Sequence, residues 1–146
     1  MDDTDPKIQE NGFSALDVRE VEGGVDGGRQ LWKLLEPLVF SVKFNGDGGL
    51  SVRVPKGYVT DFASTPWYLQ WLVPPTGKWM KAAVIHDYLC QMTLCSRFLA
   101  DATFREGMYR LSIPWYRRVP MYYSVRVYAV TILPMSKKLY WKKTRT

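Results

Sequence analysis

The sequence predicts an α+β domain in which a small antiparallel sheet precedes a bundle of about three helices. Two alternating apolar segments flank a glycine-rich turn between residues 40 and 54. Segments with helical spacing of their apolar residues follow from residue 78 onward. A hydrophobic content of 47% and an aromatic content of 14% are typical of a chain that folds around a core.

The charge distribution divides the 146 residues into three parts: a flexible acidic arm (1–30), a globular domain (31–135) and a basic tail (136–146). Residues 1–30 carry eight acidic and three basic side chains, whereas residues 110–146 carry nine basic and no acidic ones. The stretch "EVEGGVDGGRQ" places two glycine pairs among charges, which predicts a flexible connection within the arm.

Neither a signal peptide nor a transmembrane helix is expected in this sequence. Its first residues, "MDDTDPKIQENG", are acidic and lack the apolar stretch of a signal peptide. The most apolar stretch, Val119–Met135, is too short for a transmembrane helix and contains Arg126.

The predicted sheet is built around a β-hairpin. Apolar and polar residues alternate on both sides of the turn sequence "NGDGG", so that each strand has one buried face. The apolar positions of the two strands are Phe40, Val42 and Phe44, then Leu50, Val52 and Val54. A short strand over Tyr58–Thr60 is predicted next.

Three helices follow in the prediction. The first begins near Lys78 and has an apolar stripe formed by Ala82, Ile85, Leu89 and Met92. Ser96 is the predicted N-cap of the second helix. The third helix is predicted from Met121 to Leu133, with Pro120 and Pro134 at its two ends.

The single histidine of the chain, His86, lies in the middle of the first helix. Asp101 shares a strip of the second helix with Phe104, Arg105 and Met108, and an unpaired carboxylate on such an apolar strip would be costly to bury. Because the connection between the helices is short, we expect them to pack antiparallel and to pair His86 with Asp101. The carboxylate would fix one imidazole tautomer and leave the other nitrogen free to act as a general base.

Asp87 is a candidate metal ligand beside this pair. It projects about 100° away from His86 around the helix, so it is poorly placed to serve the same imidazole atom. We expect it to hold a divalent cation such as calcium, with further oxygens from the carbonyl groups of residues 74–77. Such a cation would polarise an ester carbonyl and stabilise the oxyanion formed from it.

Three ordered motifs, "VPKGYVTDFASTP", "KAAVIHDYL" and "SRFLADATFREGM", carry a family resemblance. Residues 55–108 resemble the phage-associated domain of unknown function 1353. The resemblance implies a tailed-phage or prophage gene, with the virion or the host cytoplasm as the location and other virion proteins as partners.

The same pair of helices is similar to that of phospholipase A2-like enzymes. This similarity implies that His86 is the base, that Asp87 binds calcium and that Asp101 orients His86. The chain departs from the phospholipase pattern at Cys90, where that pattern has a tyrosine, and has only "PPTG" in place of a glycine-rich calcium loop.

Other interpretations of these residues stay open. His86 and Asp101 could form a structural staple between two helices. Ser64 could act as a nucleophile with Asp61 and His86, but no Gly-x-Ser-x-Gly turn surrounds Ser64. A turn-capping role for Asp61 and Ser64, supporting the loop beside His86, is therefore favoured.

The two cysteines, Cys90 and Cys95, are expected to be free thiols in a reducing compartment, because two cysteines do not form a disulfide scaffold. Together with His86 and Asp87 they could ligate zinc, although the sequence lacks a paired Cys-x-x-Cys motif.

Two functions follow from the sequence. The first is a small phage-encoded hydrolase of an ester or lipid, and the second is a non-catalytic virion component such as a tail or adaptor protein. The basic, aromatic C-terminus is a candidate for contact with a membrane surface or with neighbouring virion subunits. Nucleic-acid binding has no supporting motif beyond charge.

Overall fold

The computed structural model describes residues 6–26, 29–60, 77–92 and 95–127. Within these ranges an antiparallel β region precedes a group of helices, which confirms the predicted α+β class. The strands are β1 (Val18–Asp26), β2 (Arg29–Leu34), β3 (Leu38–Lys43), β4 (Gly49–Val54) and β5 (Val59–Thr60), and the helices are α1 (Trp79–Gln91), α2 (Arg97–Arg110) and α3 (Trp115–Val127).

The predicted hairpin is formed by β3 and β4, which pair antiparallel with Phe40 opposite Val52. Phe40, Val52 and Val54 are buried, whereas Arg53 on the opposite face is exposed. The period-2 alternation therefore identified the buried face of the hairpin correctly. Phe44 is 50% exposed because β3 ends one residue before it.

A second sheet has the strand order β1-β2-β5, and both of its pairings are antiparallel. Its third strand, β5, confirms the predicted short strand near Tyr58–Thr60. In β1 the pairing register shifts between Glu20 and Val25, around the glycine pair Gly23 and Gly24. The first glycine pair therefore lies within strand β1, at a shift of the pairing register.

Residues 12–14 also differ from the predicted flexible arm, because they close one edge of the β3–β4 hairpin. Phe13 is fully buried, and its ring stacks on that of Phe40 with 4.2 Å between centroids. The Ser14 hydroxyl accepts a hydrogen bond of 2.9 Å from the Val39 backbone N–H. Gly12 has φ +87°, and a Cβ there would lie 2.8 Å from the Ser41 carbonyl oxygen, which is too close for any other residue. Short-range sequence patterns do not reveal contacts such as these, which join residues 12–14 to residues 39–41 of the hairpin.

Helices α1 and α2 agree closely with their predicted positions. Ala82, Ile85 and Leu89 are buried as expected, but Met92 is 41% exposed because α1 ends at Gln91. The predicted N-cap is confirmed, since the Ser96 hydroxyl accepts a hydrogen bond of 3.1 Å from the Leu99 N–H.

The predicted start of the third helix is wrong. Helix α3 begins at Trp115, and Pro120 lies inside it rather than at its end. The backbone N–H groups of Arg117 and Arg118 donate to the Pro114 carbonyl, so the helix starts directly after that earlier proline. Pro120 has no backbone N–H for a helical hydrogen bond, and the neighbouring Met121 is buried in the core. Residues 128–133 of the predicted helix and the basic tail 136–146 lie outside the described residues.

None of the helices in the described ranges is long and apolar enough to cross a membrane.

Candidate active site

The two side chains predicted to pair across α1 and α2 are in contact. His86 Nε2 lies 2.6 Å from Asp101 Oδ1. Asp101 is completely buried, and His86 keeps 4% of its surface exposed. The ring of Phe104 lies 5.0 Å from the imidazole, centroid to centroid, so the pair is enclosed partly by apolar surface.

Two arginines complete the surroundings of the Asp101 carboxylate. Arg126 Nη1, from α3, donates a 3.0 Å hydrogen bond to Asp101 Oδ2. Arg97, one turn earlier on α2, places its Nε 3.4 Å from Asp101 Oδ1, and this buried N–H has no hydrogen-bond partner in the described part of the chain. One carboxylate therefore joins three helices.

These contacts decide the protonation state of Asp101. Burial alone would raise the pKa of this carboxyl, because it disfavours the charged form. Hydrogen bonds from His86 and Arg126, with the positive charge of Arg97, outweigh burial and hold the pKa of Asp101 below its ordinary value. Asp101 is therefore an ionised hydrogen-bond acceptor at neutral pH.

An ionised Asp101 also determines the imidazole tautomer of His86. A carboxylate can only accept hydrogen bonds, so Nε2 must carry the hydrogen that lies between the two groups. In the neutral imidazole, Nδ1 then holds the lone pair. Within the described residues, the polar contact of Nδ1 is with Cys90 Sγ, at 3.9 Å. This nitrogen has the electronic character of a general base.

Cys90 does not behave as a thiolate in this site. Burial, the largest influence, raises the pKa of the Cys90 thiol to about 11, so it is protonated at neutral pH. Both cysteines are free, as the sequence predicts. A reactive Cys90–His86 nucleophile pair is therefore disfavoured, although Cys90 Sγ lies 3.5 Å from Nε2.

The predicted zinc ligands are only partly brought together. Donor atoms of His86, Cys90 and Asp101 lie within 4.8 Å of one another, whereas Asp87 and Cys95 are not part of this group. Cys95 Sγ instead contacts the Ser96 carbonyl at 3.5 Å. The group fits zinc poorly, because Nε2 and Asp101 already share a hydrogen and the third ligand is a protonated thiol.

Asp87, the predicted calcium ligand, lies in a separate environment. Its Oδ2 accepts a 2.9 Å hydrogen bond from the Tyr58 hydroxyl, and the Tyr58 ring packs edge-on against Tyr88 at 5.4 Å. One carboxylate and one phenol supply only part of the about six to eight oxygen ligands that calcium takes, and the carbonyls of residues 74–76 that complete the predicted site lie outside the described residues. Within the described residues, Asp87 links the start of β5 to α1.

Several predicted residues cannot be placed. Asp61, Ser64 and residues 74–76 of the proposed calcium loop lie outside the described residues. Sequence reasoning also missed three functional neighbours, Arg97, Arg126 and Tyr58. The spacing of four between Arg97 and Asp101 on one helix could have revealed the first pair. The other two partners come from separate elements and left no local pattern.

Comparison with known proteins identifies the family but no activity. The model of a family described as a protein of unknown function, DUF1353, matches residues 32–125. An "Uncharacterized protein y4jT" of Sinorhizobium fredii (strain NBRC 101917 / NGR234) is 32% identical over 87 residues, or 58% of this chain. The matched region makes up 26% of that relative, so the chain spans about a quarter of its length.

No solved structure matches the chain. The family model covers both helices that carry the His86–Asp101 pair and the β3–β4 hairpin that α1 contacts. The chain therefore belongs to the DUF1353 family.

Proposed function

We propose that the protein is a small hydrolase of an ester or lipid in which His86 is the general base. The observation that carries the proposal is the 2.6 Å contact between His86 Nε2 and an Asp101 carboxylate held ionised by Arg126 and Arg97. This arrangement orients the imidazole and leaves Nδ1 with its lone pair.

In the proposed reaction, His86 Nδ1 takes a proton from a water molecule while the water oxygen attacks the ester carbonyl carbon. The bond to the leaving alcohol then breaks, and the same proton passes from Nδ1 to the departing oxygen. Asp101 does not exchange a proton in this scheme. It positions the imidazole and stabilises the imidazolium that forms in the first step.

Calcium has no step in this scheme, because the described oxygens beside Asp87 are only its own carboxylate and the Tyr58 hydroxyl. Calcium binding by Asp87 stays a prediction that the experiment below tests. The phospholipase-like chemistry and the phage context, in a virion or in the host cytoplasm, are supported by the sequence resemblance alone. Contact with other virion proteins belongs to the same proposal.

A second candidate function is structural, and the burial of the dyad favours it. Asp101 is 0% exposed and joins α1, α2 and α3, as expected for a polar staple that specifies how three helices pack. The groove between α2 and α3 and the cleft at the start of α1 both lie away from His86. In this case the protein would be a non-catalytic virion component such as a tail or adaptor protein.

The experiment compares wild type with His86→Gln and Asp101→Asn. Hydrolysis of p-nitrophenyl butyrate and fatty-acid release from phosphatidylglycerol vesicles are measured with added calcium and with a chelator. We expect His86→Gln to lower the rate about 10²- to 10⁴-fold while the circular dichroism spectrum stays unchanged, since general-base catalysis contributes that much.

Ser64→Ala and Asp87→Asn are the matched variants. Retained activity in Ser64→Ala excludes the serine-nucleophile alternative, and retained activity in Asp87→Asn excludes a required calcium ligand at that position. A wild-type protein with no rate above buffer, or a His86→Gln variant as fast as wild type, would leave the structural role as the better explanation. In that case His86→Gln should lower the melting temperature instead.

A further inference from the structure

The outer face of α3 carries an apolar stripe that points away from the core. Its members recur every fourth residue and so share one side of the helix, with a drift of about 40° per step. They are Trp115, Val119, Tyr123 and Val127, which are 70%, 43%, 61% and 55% exposed. Met121, on the other side of α3, is buried. The helix thus has two apolar faces: the face with Met121 is buried against the core, and the opposite face is largely exposed.

Beside this stripe, arginines and tyrosines line a groove of about 490 Å³ between α2 and α3. The Arg118 guanidinium lies over the Tyr109 ring at 5.1 Å, and that of Arg105 over the Tyr122 ring at 5.5 Å. Stacking on an aromatic face leaves the in-plane N–H groups of a guanidinium available for further hydrogen bonds. Arg118 uses one of these groups to bind the Ile113 carbonyl at 3.1 Å. We call the groove and the α3 stripe together the α2–α3 surface.

The charge of this region is strongly positive. Residues 97–127 contain six arginines and two carboxylates, Asp101 and Glu106. Asp101 is fully buried and neutralised within the candidate active site. Glu106 accepts a 2.9 Å hydrogen bond from Arg110 Nε on the same helix. Within the described ranges, no carboxylate is therefore paired with Arg105 or Arg118.

We propose that the α2–α3 surface docks onto an anionic phospholipid bilayer. Tryptophan and tyrosine favour the level of the lipid headgroups, where the ring is apolar and its polar atom stays hydrated. The arginines can bind lipid phosphates with the N–H groups that stacking leaves free. Val119 and Val127 would be removed from water by the acyl boundary, as in other interfacial helices.

These aliphatic residues distinguish a bilayer from a nucleic acid. A nucleic acid would satisfy the arginines and could stack on the aromatic rings, but its phosphates and sugars would gain little from Val119 and Val127. A second copy of the chain would bring the unpaired arginines of the two copies together. The mixture of cationic, aromatic and aliphatic groups therefore fits an anionic lipid surface best, independently of any chemistry at His86.

The test is vesicle co-sedimentation of the full-length chain with phosphatidylcholine vesicles, with and without phosphatidylglycerol. We expect binding only when phosphatidylglycerol is present, and weaker binding as salt is added. The Arg105→Gln/Arg118→Gln double variant should lower the partition coefficient roughly 30-fold, from the usual contribution of an arginine near an anionic surface. Trp115→Ala should lower it about tenfold, because a largely exposed indole loses its interfacial contact.

Control variants remove two positive charges and one exposed aromatic ring from the β region. Lys33→Gln/Lys43→Gln removes two exposed charges, and Phe44→Ala removes a ring that is 50% exposed, so neither should change binding by more than about twofold. All variants retain the basic tail and His86. A difference in vesicle binding between variants therefore reports on the substituted residues and not on esterase activity.

The proposal is overturned by absent binding, by equal binding to both vesicle types, or by equal losses in the control variants. It is also overturned if the arginine pair is needed for binding a single-stranded oligonucleotide but not vesicles. A concentration-dependent dimer in sedimentation velocity that Trp115→Ala abolishes would instead assign the surface to self-association.

Discussion

The two sides of helix α2 use similar residue types for different purposes. On the inner side, Asp101 is fully buried between His86 and two arginines, and Gly107 allows Phe13 to approach closely. On the outer side, Arg105 is exposed and Tyr109 is 63% exposed beside the groove with α3. Both sides contain charges and aromatic rings, but only the inner charges are enclosed.

This difference shows that burial, more than residue type, decides what a charge does here. The buried Asp101 requires internal partners, because an ion removed from water is stable only when hydrogen bonds and opposite charges replace its hydration. The exposed arginines on the outer side are hydrated and keep donors free for an external partner. Substitutions on the inner side should therefore lower the stability of the protein, whereas substitutions on the outer side should weaken the binding of an external partner.

The largest expected effect follows from Asp101→Ala. Removing the carboxylate leaves two arginines and a histidine around a buried site without the negative charge they surround, so we expect a loss of about 4 kcal/mol in unfolding free energy. Urea denaturation followed by circular dichroism measures it. Glu106→Ala, which breaks the partly exposed ion pair with Arg110 on the outer side, should cost less than about 0.5 kcal/mol. Equal losses in the two variants would remove the distinction between the two sides.

A smaller loss, of about 3 kcal/mol, is expected for Phe13→Ala. This ring is fully buried, stacks on Phe40 and contacts the inner side of α2 at Gly107. Phe98→Ala, on the outer side and 66% exposed, should change the unfolding free energy by less than about 0.5 kcal/mol. The same urea experiment applies. An unchanged stability in Phe13→Ala would mean that residues 12–14 are a dispensable arm.

The smallest expected effect is a pH dependence specific to the inner side. The pKa of Asp101 is lower in the folded than in the unfolded chain, so its stabilising contribution is present above the unfolded value and is lost as pH falls through the folded value. Asp101→Asn cannot titrate. The stability difference between wild type and Asp101→Asn should therefore shrink below about pH 4. Urea denaturation at a series of pH values checks this, and a constant difference would contradict the proposed cause of the lowered pKa.

Elements with a strong local pattern were predictable from the sequence. The alternation around "NGDGG" located the hairpin, and the stripe from Ala82 to Leu89 located α1. Ser96 identified the start of α2, because an N-cap interaction lies within a single turn. Helix α3 was misplaced, since Pro120 was read as a helix boundary although one missing hydrogen bond can be offset by packing.

The candidate site was predictable only in part, because some of its contacts leave a local pattern in the sequence and others do not. The pairing of His86 with Asp101 followed from the cost of an unpaired buried carboxylate and from the short connection between two helices. The attachment of Arg126 to Asp101 and of Tyr58 to Asp87 depends on where α3 and β5 dock, which no spacing along the chain encodes.

By itself, the sequence determined the secondary-structure elements from β3 to α2 and the residue types of the site, because helical and strand periodicities and caps are local properties. The tertiary structure alone decided that Phe13 joins the core, that two arginines hold Asp101 ionised and that α3 leaves one apolar face exposed. These features arise from contacts between segments far apart in the chain, and their free energies depend on burial, which appears only when the chain has folded.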